Sequence, residues 1–308
     1  MQRVSFGVAC VQSEIERRLE YANVILTITL AVGVMPRAGT GQLYLDVAQV
    51  LGGFIQLLKN IRLAMRVCDS TCDFICEENS LKALLFDIDG TLILDHGVAG
   101  EAFDSAFEQL YGLTHVSQEI PKSGRTDLLI TQDTARHALN RVLEDAELSK
   151  LHEIYVGLLE TGLTQSERLE VLPGVRTLLN TLKSLKSVLL GLQTGNIESA
   201  AWTKLRAAEI DPFFRFGGFC VNSADRVDVL HQALESLRVL HRTCKSSDVY
   251  VIGDTPADVQ AAKIVGANSI AVATGCFSRE QLELAKPSYV MDNLTQMDEF
   301  IAAVGIEL

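Results

Sequence analysis

The sequence has no excess of positive charge, and this removes one large class of partners at the outset. Its 27 Lys and Arg residues stand against 39 Asp and Glu, a formal charge of −12. A nucleic-acid backbone would therefore be repelled unless basic residues gathered on one face. No Arg/Lys-rich run with interleaved aromatics occurs, which argues against nucleic acid and leaves a small, metal-chelated phosphate ester open. A secretory leader is not expected either, because the mixed-charge block Glu14, Glu16, Arg17, Arg18 and Glu20 precedes the first apolar run where a leader would be basic. The seven cysteines include no C-x-x-C pair and read as reduced thiols of a cytoplasmic protein. Cys68, Cys72 and Cys76 recur every fourth residue, as small apolar side chains on one helix face would.

There is no apolar stretch of the roughly 20 residues that a membrane helix needs. Ala22 to Met35 is nearly unbroken but ends at Pro36, and Leu43 to Leu58 carries Asp46 and a Gly52-Gly53 pair. Three readings of residues 1–80 stand open. They form an appended helical extension packing on the rest of the chain or on a second copy, they make a peripheral membrane contact through residues 22–58, or translation begins further in, for instance at Met65. Internal repeats and low-complexity segments are absent.

From Leu81 the pattern changes. Short β-branched runs alternate with helical periodicity, which predicts a mostly parallel sheet covered by helices on both faces. Strands are expected at 81–86, 187–193, 214–221, 248–252 and 269–273, with helices at 175–185, 197–208, 224–240, 256–265, 279–285 and 294–302. Leucines and alanines at helical spacing from Gly100 to Leu169 predict a helical insertion hinged near Leu94 to Gly97 and Leu172 to Gly174.

In such a sheet, reactive groups gather beyond the carboxyl ends of the strands. Four places there carry chemistry. Asp87-Ile88-Asp89-Gly90-Thr91-Leu92 offers two carboxylates and a turn-forming Gly, and Gln193-Thr194-Gly195-Asn196 offers a hydroxyl at a helix start. Arg226 offers a planar cation, and Gly253-Asp254-Thr255-Pro256-Ala257-Asp258 adds two further acids. Singly, Asp and Thr at such junctions are ordinary helix caps. Together and in this order, they resemble the four signature motifs of the haloacid-dehalogenase-like superfamily, with a likeness running from about Leu81 to the C-terminus.

The resemblance implies an α/β fold: a doubly wound, mostly parallel, Rossmann-like core (81–96 and 171–308) with an inserted all-helical cap (97–170). It implies that Asp87 attacks phosphorus to give an aspartyl-phosphate, while Asp89 donates a proton to the leaving group and later takes one from water. Thr194, Gly195 and Arg226 would grip the phosphoryl oxygens. Oxygen-only ligands suggest Mg²⁺, held by Asp87, the backbone carbonyl of Asp89 and Asp254, with Asp258 a ligand or a support. Most members place a lysine where Arg226 stands, and Lys204 or Lys245 could also reach the site. Asp89 points away from the dehalogenase branch.

The expected activity is magnesium-dependent hydrolysis of a small phosphate monoester, with cap size and motifs most similar to the phosphoglycolate phosphatase-like branch. The open alternatives are a phosphomutase, a non-catalytic binder of a phosphorylated ligand or partner, and a phosphonate-cleaving enzyme using Lys122 or Lys150. In the cap, the polar break Ser123-Gly124-Arg125-Thr126-Asp127 is either a loop whose Thr126 or Asp127 caps the next helix or a substrate reader, Arg125 with Thr126, for the substrate's own anion. His96, His115, His137 and His152 read as helix-surface residues.

Overall fold

A computed structural model describes residues 81–220, 225–240 and 244–307. The expectations for residues 1–80, including the membrane contact and the Cys68, Cys72 and Cys76 stripe, lie outside the described residues.

Six parallel strands form the main sheet in the order β5-β4-β1-β6-β7-β8. They are β1 (Lys82–Phe86), β4 (Val188–Gln193), β5 (Gly217–Gly218), β6 (Val249–Gly253), β7 (Asn268–Val272) and β8 (Tyr289–Met291). The apolar run of β1 makes it a central strand, buried on both faces. Leu84 and Phe86 join one apolar cluster with Leu178, Leu179 and Leu182 of α4 (Val175–Ser184) and Phe300 of α9 (Met297–Val304). Ala83 and Leu85 join another, with Leu230 and Ala233 of α6 (Arg226–Leu240) and Ala261 of α7 (Pro256–Val265). The side chains alternate between faces at the strand period of two, and the sheet is doubly wound as expected.

The register fixes the site. Phe86 pairs with Leu192 on one side and Ile252 on the other, so the residues that follow these three strands emerge side by side. Order along the sheet reverses at β1, and the crevice at such a switch point is where ligands bind.

Between the short antiparallel strands β2 (Ile93–Leu94) and β3 (Glu170–Val171) lie three helices, α1 (Val98–Tyr111), α2 (Asp127–Leu139) and α3 (Asp145–Gln165). They share a cluster built on Phe103, Phe107, Leu151, Tyr155 and Leu159, which also takes in Ile197 and Ala200 at the start of α5 (Glu198–Ala207). The insertion is thus packed against the helix that follows Thr194-Gly195-Asn196.

Several details differ from expectation, the pair β2 and β3 among them. Of the strand predicted over 214–221, whose last residue lies outside the described ones, only Gly217–Gly218 is strand among the described residues; a Cβ on Gly218 would lie 1.9 Å from the Val229 carbonyl oxygen, so helix α6 crosses close to the strand there. The edge strand β8 was not anticipated. Among the described residues, no helix is long and apolar enough to cross a membrane.

Candidate active site

Asp87 leaves β1 beside Gly253, its amide donating to the Ile252 carbonyl at 2.8 Å. Its side chain is buried. One oxygen accepts from the Ile88 amide at 2.8 Å and the other from Arg226 Nη2 at 2.8 Å. Arg226 opens α6, and the same Nη2 also donates to Asp258 and, at 3.4 Å, to Gln193 Oε1. Asp258 caps α7 with Thr255: its second oxygen accepts from the Thr255 hydroxyl at 2.7 Å and the Thr255 amide at 3.2 Å. Asp258 thus caps the helix as residues at such junctions ordinarily do, and it contacts Arg226 as well. One carboxylate closes the helix end and grips the guanidinium.

Asp254 sits in a slot between two glycines. A Cβ on Gly90, whose φ is +78°, would lie 2.5 Å from Asp254 Oδ2, and one on Gly275 would lie 1.7 Å away. The Thr91 hydroxyl donates to Asp254 Oδ1 at 3.2 Å. Oxygens of Asp87, Asp254 and Asp258 all lie within 4.8 Å of one another, and all three residues are buried.

Burial first, then the neighbouring Asp258 and Asp89 against the opposing Arg226, pushes Asp87 up to about 6. Burial followed by Asp87 and Asp258 pushes Asp254 up to about 8. Burial works against the charge of Arg226, yet Asp258 and Asp87 hold its pKa above the ordinary value. Three close carboxylates against one guanidinium leave uncompensated negative charge.

Asp89 meets a different cation. Lys204 Nζ, on α5, donates to both of its oxygens at 2.7 Å and to Asn196 Oδ1 at 2.9 Å, while Asn196 Nδ2 donates to Asp89 Oδ2 at 2.7 Å. Lys204 is only 3% exposed. Burial opposes its charge, but Asp89, with Tyr155, Asp95 and Asp127, keeps its pKa above the ordinary range. Arg226 and Lys204 thus divide the site, one at Asp87 and the other at Asp89. Lys245 does not line the cavity described below.

The Thr194 hydroxyl accepts from Asn196 Nδ2 at 2.9 Å. At Gly195 a Cβ would lie 2.4 Å from the Arg125 carbonyl oxygen, so only glycine lets the insertion loop approach. That approach is fastened by Asp127, which the sequence offered only as a cap. Its amide donates to the Gly195 carbonyl at 2.8 Å, and its carboxylate accepts from the Ile197 amide at 2.8 Å. Burial, opposed by Lys204 and that amide, pushes Asp127 up to about 6.

Asp87, Asp89, Asp254, Thr194, Lys204 and Arg226 line a cavity of about 560 Å³ that also takes in Leu94, Phe103, Lys122, Arg125, Ile130 and Tyr155, while Gln193 and Asp258 lie outside its lining. Of the two expected substrate readers, Thr126 is buried, N-caps α2 by accepting from the Leu129 amide at 3.4 Å, and does not line the cavity. Arg125 lines it but is engaged with Asp133 and, at 2.8 Å, the Pro121 carbonyl. None of His96, His115, His137 and His152 lines it.

Residues 81–266 match the family model described as haloacid dehalogenase-like hydrolase. Pyrophosphatase PpaX of Anoxybacillus flavithermus is 22% identical over 236 residues, covering 74% of this chain and 98% of that protein. A predicted phosphatase from Clostridium acetobutylicum superposes with a TM-score of 0.55 at 20% identity, covering 72% of this chain and 99% of that one. CbbY from Rhodobacter sphaeroides, solved in complex with phosphate, superposes with a TM-score of 0.55 at 18% identity, covering 73% and 100%. At these identities the structural likeness establishes the fold and nothing finer.

Proposed function

The chain belongs to the haloacid dehalogenase-like hydrolase family, and on that premise we propose that it is a magnesium-dependent phosphatase of small phosphate monoesters or phosphoanhydrides, acting through an acyl phosphate on Asp87. The observation that carries this reading is the buried trio Asp87, Asp254 and Asp258 at the switch point of the sheet, with Arg226 donating to two of its members. The pyrophosphatase relative widens the substrate class beyond the monoesters that the motifs suggest.

Oxygen donors, a cleared slot at Asp254 and surplus negative charge suit a hard divalent cation. Asp87 and Asp254 would hold it, with the Asp89 carbonyl by family resemblance. Both Asp258 oxygens are taken by Arg226 and Thr255, so this residue fixes the guanidinium. When bound, Mg²⁺ supplies the positive charge that lets a carboxylate approach a phosphate dianion.

Asp87 attacks phosphorus and the bond to the leaving oxygen breaks; Asp89, which accepts from Lys204 and Asn196 in the free site, takes up a proton as substrate binds and passes it to that oxygen. Asp89 then takes a proton from the water that cleaves the acyl phosphate. Thr194 accepts from Asn196, leaving its own O–H to donate to a phosphoryl oxygen beside Arg226. The three-helix insertion acts as the cap, restricting substrates to those that fit the cavity. Incubating the full chain with a panel of small phosphate esters and pyrophosphate tests this: phosphate release is expected with Mg²⁺ and not with EDTA. Release from none of them with Mg²⁺ would remove the proposal.

The carboxyl pKa values give a second expectation. Asp87 and Asp254 hold protons up to about 6 and about 8, against an ordinary 3.8, so between these limits the metal-free folded state binds more protons than the unfolded one. Their stabilising contribution is full below the ordinary value and is lost as pH rises through the two raised ones. Metal-free protein should therefore melt lower at about pH 8.5 than at about pH 5.5, and Mg²⁺ should raise Tm more at the higher pH. An equal Mg²⁺ effect at both would contradict the charge argument.

A further inference from the structure

Four cations line the cavity: Lys122, Arg125, Lys204 and Arg226. Three are committed to carboxylates, Arg125 to Asp133, Lys204 to Asp89, and Arg226 to Asp87 and Asp258. Lys122 is not. Its Nζ donates to the Ser117 hydroxyl at 2.9 Å, a neutral partner that holds the ammonium in place without cancelling its charge.

The support is built into the insertion. Ser117 is buried, and its amide donates to Asp104 Oδ1 of α1 at 3.0 Å. Facing the ammonium is Gly100 of α1, where a Cβ would lie 3.3 Å from Nζ; with no side chain there, the cation stays open to the cavity. The loop that carries Lys122 is itself seated on the catalytic half. A Cβ on Gly124 would lie 3.2 Å from both Thr255 Oγ1 and Ala257 Cβ, and the Arg125 carbonyl presses on Gly195. Leu94, Phe103 and Ile130 supply apolar wall to the same cavity.

From this arrangement we infer that Lys122 forms a second anion subsite, so that the preferred substrate is a short molecule with the transferred phosphoryl group at Asp87 and another anionic group, carboxylate or phosphate, at Lys122. A compact ammonium recognises either as a point charge. The inference deepens the proposed function and rests on it for the word substrate, but the subsite can be read by binding alone. It also reassigns the role that the sequence suggested for Arg125, whose guanidinium is occupied. Lys122, singled out in the sequence only as a lysine that could form a Schiff base, becomes a reader of charge. Lys150 pairs with Glu153 on an exposed helix face and does not line the cavity.

Calorimetry of the full chain in Mg²⁺ with three hydrolysis-resistant probes tests this: methylphosphonate (one anionic group), phosphonoacetate (carboxylate as the second) and methylenediphosphonate (phosphonate as the second). Wild-type protein is expected to bind at least one two-anion probe more tightly than methylphosphonate by about tenfold to hundredfold, as a charge-assisted contact provides. Which of the two is preferred identifies the second anion. Lys122→Ala should abolish the preference while leaving methylphosphonate binding within about twofold, and Lys122→Arg should keep most of it. Chelation of Mg²⁺ by a probe is common to all variants and cancels in the comparison. A preference undiminished in Lys122→Ala, lost only in Arg125→Ala, or absent from the wild type would overturn the inference. A protein that shows the preference yet hydrolyses no phosphate compound would overturn the hydrolase reading and leave the subsite standing.

Discussion

Asp87→Asn is expected to lower magnesium-dependent turnover of any accepted substrate by about 10⁴-fold or more, the scale on which removal of a nucleophile acts. An amide is a poor nucleophile and a weak metal ligand. In this pocket it also loses the charge that Arg226 Nη2 meets at 2.8 Å. The same change takes one member out of a trio whose oxygens lie within 4.8 Å of one another, relieving the repulsion that raises Asp254. These two effects on stability oppose each other, so the variant should fold, with a Tm within a few degrees of wild type. Loss of activity in a folded protein is the expected signature. Activity within tenfold of wild type would remove Asp87 from the nucleophile's place.

The second large effect is on stability. Arg226→Met removes the guanidinium that donates to both Asp87 and Asp258 and leaves those carboxylates buried without their partner. Breaking a buried charge network from one side costs about 3–5 kcal/mol, which for a domain of this size corresponds to a fall in Tm on the order of 10 °C. The cost should shrink at low pH, where Asp87 can be protonated, and in Mg²⁺, which restores positive charge. Arg226→Lys keeps a cation of the type most family members carry there and should recover part of the loss. Its point charge cannot reproduce the planar fork. A Tm for Arg226→Met equal to wild type in the absence of metal would mean that Arg226 does not hold the site together.

Much of this was legible in the sequence because strand ends are legible. The run Ala83-Leu84-Leu85-Phe86 followed by Asp87 announces both a buried strand and its reactive tip, and the runs before Gln193 and Gly253 do the same. Parallel pairing then brings the three tips together through the register Phe86 to Leu192 and Ile252. Arg226 was readable as a cation at a helix start, though not its grip on Asp258. The insertion was visible from helical spacing, and three helices occupy it.

What stayed hidden depends on contacts between segments distant in sequence. Lys204 and Asp89 are 115 positions apart, and nothing local joins them. A signal did exist: Lys204 falls three and four residues after Ala201 and Ala200, on the buried face of α5, and a lysine on such a face needs a counter-charge. Asp127 fastens to Ile197 across a gap of 70 positions. The commitment of Arg125 to Asp133 appears only once loop and helix are folded together. Strand β8 spans three residues at the sheet edge, too short for its periodicity to register.

The central claim is that phosphate passes through a covalent bond to Asp87. The direct measurement is to quench the full chain during turnover in Mg²⁺, reduce it with borohydride and map its peptides by mass. An acyl phosphate would be reduced to the alcohol, so homoserine should appear in place of Asp87 only when substrate and Mg²⁺ are both present. Phosphate release with every aspartate unmodified under those conditions, at a quench time shorter than one turnover, would contradict the account.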